Sequence, residues 1–226
     1  MIQAEYVGVD VAKDKFDVAI HVNNRYKHLV YSNNLKGHSE FSQWLIENTI
    51  SPWVCMEATG HYSEGIADFL IKKGIKVSVV NPFQIKNFAK ASLTRNKNDT
   101  IDARVIREFC QCMQPRDYVS SPMEQKQLKG LMKLLDMLKG QLVQYTNQLH
   151  SLQEHIAREI LIKLIENLEN EITHIESKMA ELVESEHYLK EKMSLITSIK
   201  GVGKLTSYRV LALMPDVSSF QTAKQF

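Results

Sequence analysis

The sequence predicts a mixed α/β domain followed by a long helical region and a short helical tail. Short β-rich runs alternate with helix-like segments in the first half, and a helical repeat of leucine and isoleucine fills the middle. The last thirty residues carry four basic residues and one acidic residue. We therefore expect three regions, at residues 1–117, 118–196 and 197–226.

The composition is that of an ordinary globular chain. Of the 226 residues, 44% are hydrophobic and 24% are charged, which excludes a disordered or a collagen-like protein. The formal net charge is only +2, so any nucleic-acid surface has to be local. No apolar run approaches the ~20 residues that span a bilayer, and the three cysteines form no CxxC pair. We expect a cytoplasmic protein with free thiols and no membrane segment.

Five apolar runs in the first region are typical of β-strands. A polar turn, Lys13-Asp14-Lys15, separates the first two runs and favours an antiparallel hairpin. The last run is continuous and apolar, as in strands that are covered on both faces of a sheet. The expected strands are residues 6–9, 16–22, 28–31, 53–56 and 77–80.

Helix-like segments lie between and after these strands. The segment 62–73 repeats apolar residues at helical spacing and stops at Gly74, a residue type that commonly ends helices. Pro82 opens the next helix, and Asn98 or Asp99 can cap the last one. The expected helices are residues 39–47, residues 62–73, one from residue 82, and one from 98 or 99 to about 112. This order of elements indicates an α/β domain with a mixed sheet.

Apolar residues of the second region recur at alternating spacings of three and four. The series covers residues 128–156 and 161–196, with a slip near residues 158–159, and no proline interrupts it. This pattern predicts a coiled coil. The slip can be a stutter in one rod or the turn of an antiparallel hairpin. The alternative to a coiled coil is two helices packed on the core of the first domain.

Four acidic residues lie where an α/β fold would bring them together. Asp10 ends the first strand, and Glu57 ends a buried strand, where an ionised group needs a partner. Asp99 and Asp102 share one helix face, and a divalent cation would offset their repulsion. Such oxygen ligands suit Mg²⁺ or Mn²⁺, and two ions can promote phosphoryl transfer. Taken singly, Asp10 can also be a turn residue, Asp99 a helix cap and Asp102 a solvated neighbour of an arginine.

Basic residues collect beside these acids. Between Phe69 and Asn98 there are seven basic residues and no acidic one, which suits phosphate contacts and equally an ordinary solvated surface. We expect Phe83 and Phe88, in this stretch, to belong to the core. In the tail, backbone N–H groups ahead of a predicted helix would also suit a phosphate. The candidate nucleic-acid contacts are Lys86, Lys90, Arg95, Lys97, Lys200, Gly201, Gly203 and Lys204.

Four blocks of the first region resemble, in order and spacing, the RuvC-like domain of DEDD transposases of the insertion sequence one-ten family, which includes the pilin-gene invertases. The blocks are YVGVDVAKDKFDVAI at 6–20, MEATGHY at 56–62, VVNPF at 79–83 and NKNDTIDAR at 96–104. Residues 195–216 resemble the start of the family's second transposase domain, a helix-hairpin-helix-like α segment. The resemblance implies an RNase-H-like fold for the first region. It also implies that the catalytic, metal-binding acids are Asp10, Glu57, Asp99 and Asp102.

The resemblance further implies a DNA transposase or site-specific recombinase in the bacterial cytoplasm, associated with the nucleoid. Mg²⁺ would act on DNA phosphodiesters under the guidance of a structured RNA that the element encodes. Family members work as dimers joined into tetramers, and the coiled coil is the natural dimer element. In full-length relatives a serine of the second domain attacks DNA. The family pattern continues past Phe226, so we expect this chain to lack that serine and not to complete strand exchange alone.

Two other functions fit the same residues. One is a RuvC-like junction nuclease, which hydrolyses DNA with an activated water and needs no serine. The other is a non-catalytic dimerising protein that occupies guide RNA or DNA. Cleavage by the chain with metal alone would favour the nuclease, and nucleic-acid binding that survives Asp10→Asn would fit the non-catalytic protein.

Overall fold

The computed structural model describes residues 4–22, 25–91 and 103–213. The chain divides into two compact units, residues 1–120 and 121–226, and each unit has a hydrophobic core of its own. Four candidate site residues, Arg95, Lys97, Asp99 and Asp102, lie outside the described residues.

The first unit contains a mixed sheet in the order β3-β2-β1-β4-β5. Its strands are β1 Glu5–Val11, β2 Lys15–Val22, β3 Arg25–Ser32, β4 Pro52–Glu57 and β5 Lys76–Val80. β1, β2 and β3 pair antiparallel in sequence order, whereas β1, β4 and β5 run parallel. All five predicted strands are present. β3 is longer than predicted because it pairs with β2 along its whole length.

Helices cover both faces of this sheet. They are α1 Leu35–Asn48, α2 His61–Lys72, α3 Pro82–Ala91 and α4 Ala103–Met113. On one face, Phe41 of α1 and Leu70 of α2 are fully buried in the larger core. On the other, Ile85 of α3 and Phe109 of α4 pack in a second core with Cys55 of β4. The predicted α/β domain is therefore confirmed as a mixed sheet between helices.

Helix α4 lies directly on β1 at Gly8. A Cβ atom added to Gly8 would stand 2.0 Å from the carbonyl oxygen of Ala103 and 2.4 Å from the backbone nitrogen of Arg107. Real Cβ contacts are never so short, so only glycine permits this approach. The requirement fixes the start of α4 against the strand that ends near Asp10.

The second unit is helical. Its helices are α5 Met123–Ser151, α6 His155–Ser185, α7 His187–Thr197 and α8 Lys204–Leu213. Leu128 and Leu135 of α5 are buried in one cluster with Ile175 and Met179 of α6. Because a three-residue link joins two long helices that pack on each other, α5 and α6 form an antiparallel hairpin.

The link between α5 and α6 settles the alternative between a stutter and a turn. The chain reverses at residues 152–154, a few residues before the slip that the apolar pattern indicates. Leu152 and Glu154 flank the turn in extended conformations. Leu152 has φ −80° and ψ 125°, and Glu154 has φ −69° and ψ 118°. Arg158 caps the end of α5, since its Nη1 donates to the carbonyl oxygens of Leu149 at 2.6 Å and Leu152 at 2.8 Å. Ordinary residues can adopt these angles, which is why no glycine or proline marks the turn.

Helices α7 and α8 complete the second unit. Leu189 of α7 and Leu211 of α8 are buried in the same cluster as the hairpin. Gly201 lies in the turn between them with a φ of 91°, a conformation that favours glycine. Among the described residues, no helix is long and apolar enough to cross a membrane.

Candidate metal and nucleic-acid site

Asp10 and Glu57 lie side by side at the carboxyl ends of neighbouring parallel strands. Val9 of β1 is in register with Met56 of β4, so the next residue of each strand is one of the two acids. Adjacent strands are about 4.8 Å apart, and residues in register point to the same face. The structure thus brings together the two predicted acids that it describes.

The two carboxylates share the α4 side of the sheet. Side chains alternate between the faces of a strand, so Asp10 is on the side of Gly8, which touches α4. Glu57 is on the side of Cys55, which packs against Cys110 in the core that α4 closes. Both acids are half-buried at the edge of this core.

The electrostatics of the pair favour a bound cation. Burial raises the pKa of the Glu57 carboxyl above its usual value, and the negative charge of Asp10 raises it further. The hard oxygen donors of the two carboxylates on one face of the sheet provide ligands that fit a divalent cation. The described part of the chain holds no group of three or more His, Cys, Asp or Glu residues arranged for a metal. Among the described residues the site is therefore a pair of acids, and Asp99 and Asp102 lie outside the described residues.

A third acid, Asp17, lies beside this pair and was missed from the sequence. It is opposite Asp10 in the antiparallel register of β1 and β2. Lys15 Nζ is 3.0 Å from one Asp17 oxygen, and His28 Nε2 is 3.1 Å from the other. The predicted hairpin already paired β1 with β2, but the sequence did not fix the register. A shift of one residue would have put a different residue opposite Asp10.

Asn33 joins the two segments that follow the acid-bearing strands. Its Nδ2 donates to the carbonyl oxygen of Ala12, after β1, at 2.8 Å and to that of Tyr62, in α2 after β4, at 3.3 Å. Its Oδ1 lies 2.7 Å from Nε2 of the buried His38, which we assign as the donor because Nδ2 is occupied by the two carbonyls. Sequence reasoning missed Asn33, because an asparagine before a helix is normally interpreted as a cap. The cap is Asn34, which accepts from the Gly37 N–H.

The basic candidates on α3 are exposed. Lys86 and Lys90 are four residues apart on one helix face. The prediction that Phe83 is a core residue is wrong, since its side chain is 69% exposed. Phe83 lies in the first turn of α3, where only Ile85 is buried. The same prediction holds for Phe88, which is half-buried and meets the Phe109 ring edge-on at 5.4 Å.

The tail candidates lie in the second unit, around the turn between α7 and α8. Lys200, Gly201, Gly203 and Lys204 are all exposed. The carbonyl oxygen of Gly203 accepts from the backbone N–H of Ser207, so α8 starts directly after the turn. A helix start with two exposed lysines matches the predicted helix, turn and helix.

Comparisons with known proteins agree with the sequence blocks. A family model for the DEDD transposase of IS110, described as a transposase, matches residues 7–157. A second model, described as the transposase IS116/IS110/IS902 family, matches residues 193–226. The first match covers more than half of the chain and confirms the resemblance.

Curated relatives match almost the whole length of the chain. The pilin gene-inverting proteins of Moraxella bovis and Moraxella lacunata are each 29% identical over 222 residues, which is 97% of this chain and 69% of each relative. The transposase for insertion sequence element IS1111A of Coxiella burnetii is 24% identical over an alignment of 253 positions. This alignment covers 100% of this chain and 67% of the relative. On these matches, the chain belongs to the IS110 family of transposases and recombinases.

Proposed function

We propose that this chain binds Mg²⁺ or Mn²⁺ through Asp10 and Glu57, together with Asp99 and Asp102, and acts on DNA phosphodiester bonds during transposition or site-specific recombination. The observation that carries the proposal is the pair of half-buried carboxylates at the ends of β1 and β4. When bound, divalent cations would polarise the phosphodiester and stabilise the negative charge of the departing oxygen. The protein's own part is to hold the carboxylates together, which the parallel register and the Asn33 bridge support.

The sheet supports an RNase-H-like, RuvC-like fold for the first unit. Three antiparallel strands are continued by two parallel ones, with the acids at the carboxyl end of the central strand β1 and of its neighbour. Active-site groups of α/β folds commonly lie at such strand ends. We propose that Asp99 and Asp102 reach this place from the segment before α4, whose first residue contacts Gly8 of β1.

The exposed lysines support contacts to nucleic acid. Lys86 and Lys90 of α3, with the candidates Arg95 and Lys97 that follow in sequence, would hold backbone phosphates in the first unit. The glycine turn at Lys200 to Lys204 would hold another in the second unit. We extend this proposal to an element-encoded guide RNA, because the backbone of RNA carries the same phosphodiester groups as the backbone of DNA.

The experiment that tests the metal site is calorimetric titration of the purified chain with Mn²⁺. Saturable binding is expected for the wild type and its loss for Asp10→Asn and Asp102→Asn, because each removes a charged ligand. Asp14→Asn is the matched control, since Asp14 is an exposed aspartate in the neighbouring turn. Equal binding by all four proteins would refute the proposed site.

A labelled four-way DNA junction separates recombinase from nuclease. Incubation with Mg²⁺ should leave the junction uncut if the family's serine is required for cleavage. Cleavage by the wild type that Asp10→Asn abolishes would replace the recombinase proposal with a junction nuclease. If the folded chain binds neither Mn²⁺ nor junction, both enzymatic functions fail.

A further inference from the structure

A basic cavity lies on the α4 side of the first unit, away from the acids. It has a volume of about 310 Å³. α4 forms one wall, and the outer strands β2 and β3 form the other. Its lining residues are His21, Tyr26, Arg104, Arg107 and Glu108.

The strands supply an aromatic wall. His21 and Tyr26 are paired across β2 and β3, and their rings meet nearly perpendicular at 5.6 Å. The guanidinium carbon of Arg104 lies 4.2 Å from the centre of the Tyr26 ring. A guanidinium over an aromatic ring is attracted to its face, so this contact holds Arg104 at the wall of the cavity.

Arg107 supplies the second guanidinium, one helical turn after Arg104. It is half-buried, and its Nε is buried without a hydrogen-bond partner among the described residues. A buried donor of a charged group normally has a partner, because leaving it unpaired is unfavourable. Against the two arginines the lining offers one acid, the exposed Glu108. The lining of the cavity therefore carries an excess of positive charge.

We propose that this cavity binds a backbone phosphate of the nucleic acid on which the acids act, an inference that rests on the proposed function. Arginine pairs recognise phosphate oxygens through several N–H groups at once, and His21 can add a further donor. The ligand chemistry is a phosphodiester, whether of DNA or of RNA.

The position of the cavity fits the same strand of nucleic acid. His21 is four residues along β2 from Asp17, which is opposite Asp10. At about 3.4 Å per residue, the cavity is roughly 14 Å from the acids. Successive phosphates of one DNA strand advance about 3.4 Å along the helix axis, so the contact would fall within a few nucleotides of the reacting bond.

The test is fluorescence anisotropy of the full chain with a DNA duplex, an RNA duplex and an RNA–DNA hybrid over a series of salt concentrations. Arg107→Gln and Arg104→Gln should each weaken binding about tenfold and lower the salt slope by about 0.9, as expected for one lost phosphate contact. Arg107→Lys should restore part of the affinity, because it keeps the charge. Lys36→Gln, an exposed lysine of α1, is the matched control.

The outcomes separate this inference from the proposed function. If Arg104→Gln and Arg107→Gln lower the affinity for nucleic acid and leave Mn²⁺ binding unchanged, the phosphate site in the cavity is supported. The probe whose binding is weakened then identifies the ligand as DNA or RNA. Should Arg107→Gln fail to fold, Arg104→Gln decides alone, since Arg104 is exposed. Unchanged affinity and salt slope in the folded variants overturn the cavity and leave the metal site standing. Failure of the wild type to bind any probe refutes nucleic-acid binding altogether.

Discussion

At the scale of single residues, the ionised carboxyl of Glu57 destabilises the metal-free protein but is suited to bind the proposed metal ion. Its carboxyl is half-buried beside Asp10, and both burial and that negative charge raise its pKa. Groups at functional sites often carry such perturbed pKa values. The Asp10–Glu57 pair destabilises the metal-free protein, and a bound cation would stabilise the same pair.

Glu57→Gln is expected to raise the Tm of the metal-free protein at neutral pH and to abolish the rise in Tm that Mn²⁺ produces. The folded-state pKa of Glu57 is raised, so the folded chain favours its protonated form and stability falls as pH increases through that pKa. Circular dichroism melts in EDTA and in Mn²⁺, over a range of pH, measure both effects. Glu47→Gln, at an exposed glutamate of α1, should change neither. A lower Tm of the metal-free Glu57→Gln protein would contradict the reasoning.

Asn33→Ala tests the bridge between the segments that follow β1 and β4. It removes two hydrogen bonds and leaves His38 Nε2 without its partner, so the free energy of unfolding should fall by about 2 kcal/mol. Mn²⁺ affinity should fall as well, because the two acid-bearing strands lose their shared anchor. Asn48→Ala removes one local bond to Trp44 and should cost less than about 1 kcal/mol. Denaturant unfolding and calorimetry provide the two measurements, and equal effects of both substitutions would refute the bridge.

At the scale of elements, the position of α4 depends on the absence of a side chain at Gly8. The helix also closes the second core and forms a wall of the basic cavity. A shift of α4 would therefore disturb the core and the cavity together.

Gly8→Ala should destabilise the first unit by about 3 kcal/mol, because the new methyl would collide with the backbone of Ala103 and Arg107. Gly65→Ala is the control. The added Cβ there would meet only His38 Cε1 at 3.9 Å, and alanine is the better helix former by about 1 kcal/mol. Denaturant unfolding should show opposite signs for the two substitutions. A Gly8→Ala protein as stable as the wild type would show that α4 does not rest on β1 at this point.

At the scale of the whole molecule, the helical hairpin limits which apolar residues can form a dimer interface. Leu128 and Leu135 are already buried within the chain, so they are not free to form an intermolecular seam. An exposed apolar stripe remains on α6 at intervals of four residues: Ile156 is 74% exposed, Ile160 57% and Leu164 44%. We propose that a second copy of the chain covers this stripe and forms a dimer on the outer face of the hairpin.

Ile160→Asp should convert a dimer to a monomer in sedimentation equilibrium, because it puts a charge in the centre of the stripe. Ile162→Asp is the matched control, since Ile162 is also exposed but two residues on, on a different helix face. A wild type that stays monomeric, or equal effects of both substitutions, would exclude this interface.

The sequence by itself determined the strands, the place of the two described acids at strand ends, and the helical character of the second unit. Each of these follows from local periodicity and from nearby turn residues, which a single chain segment carries. Only the tertiary structure decided the features that depend on register and on the meeting of distant segments. Asp17 is opposite Asp10, Asn33 joins the segments after β1 and β4, and Phe83 is exposed whereas Phe88 is half-buried. The hairpin turn at residues 152–154 belongs with them, since ordinary extended dihedral angles leave no signal in the sequence, and its position is set by how α5 and α6 pack.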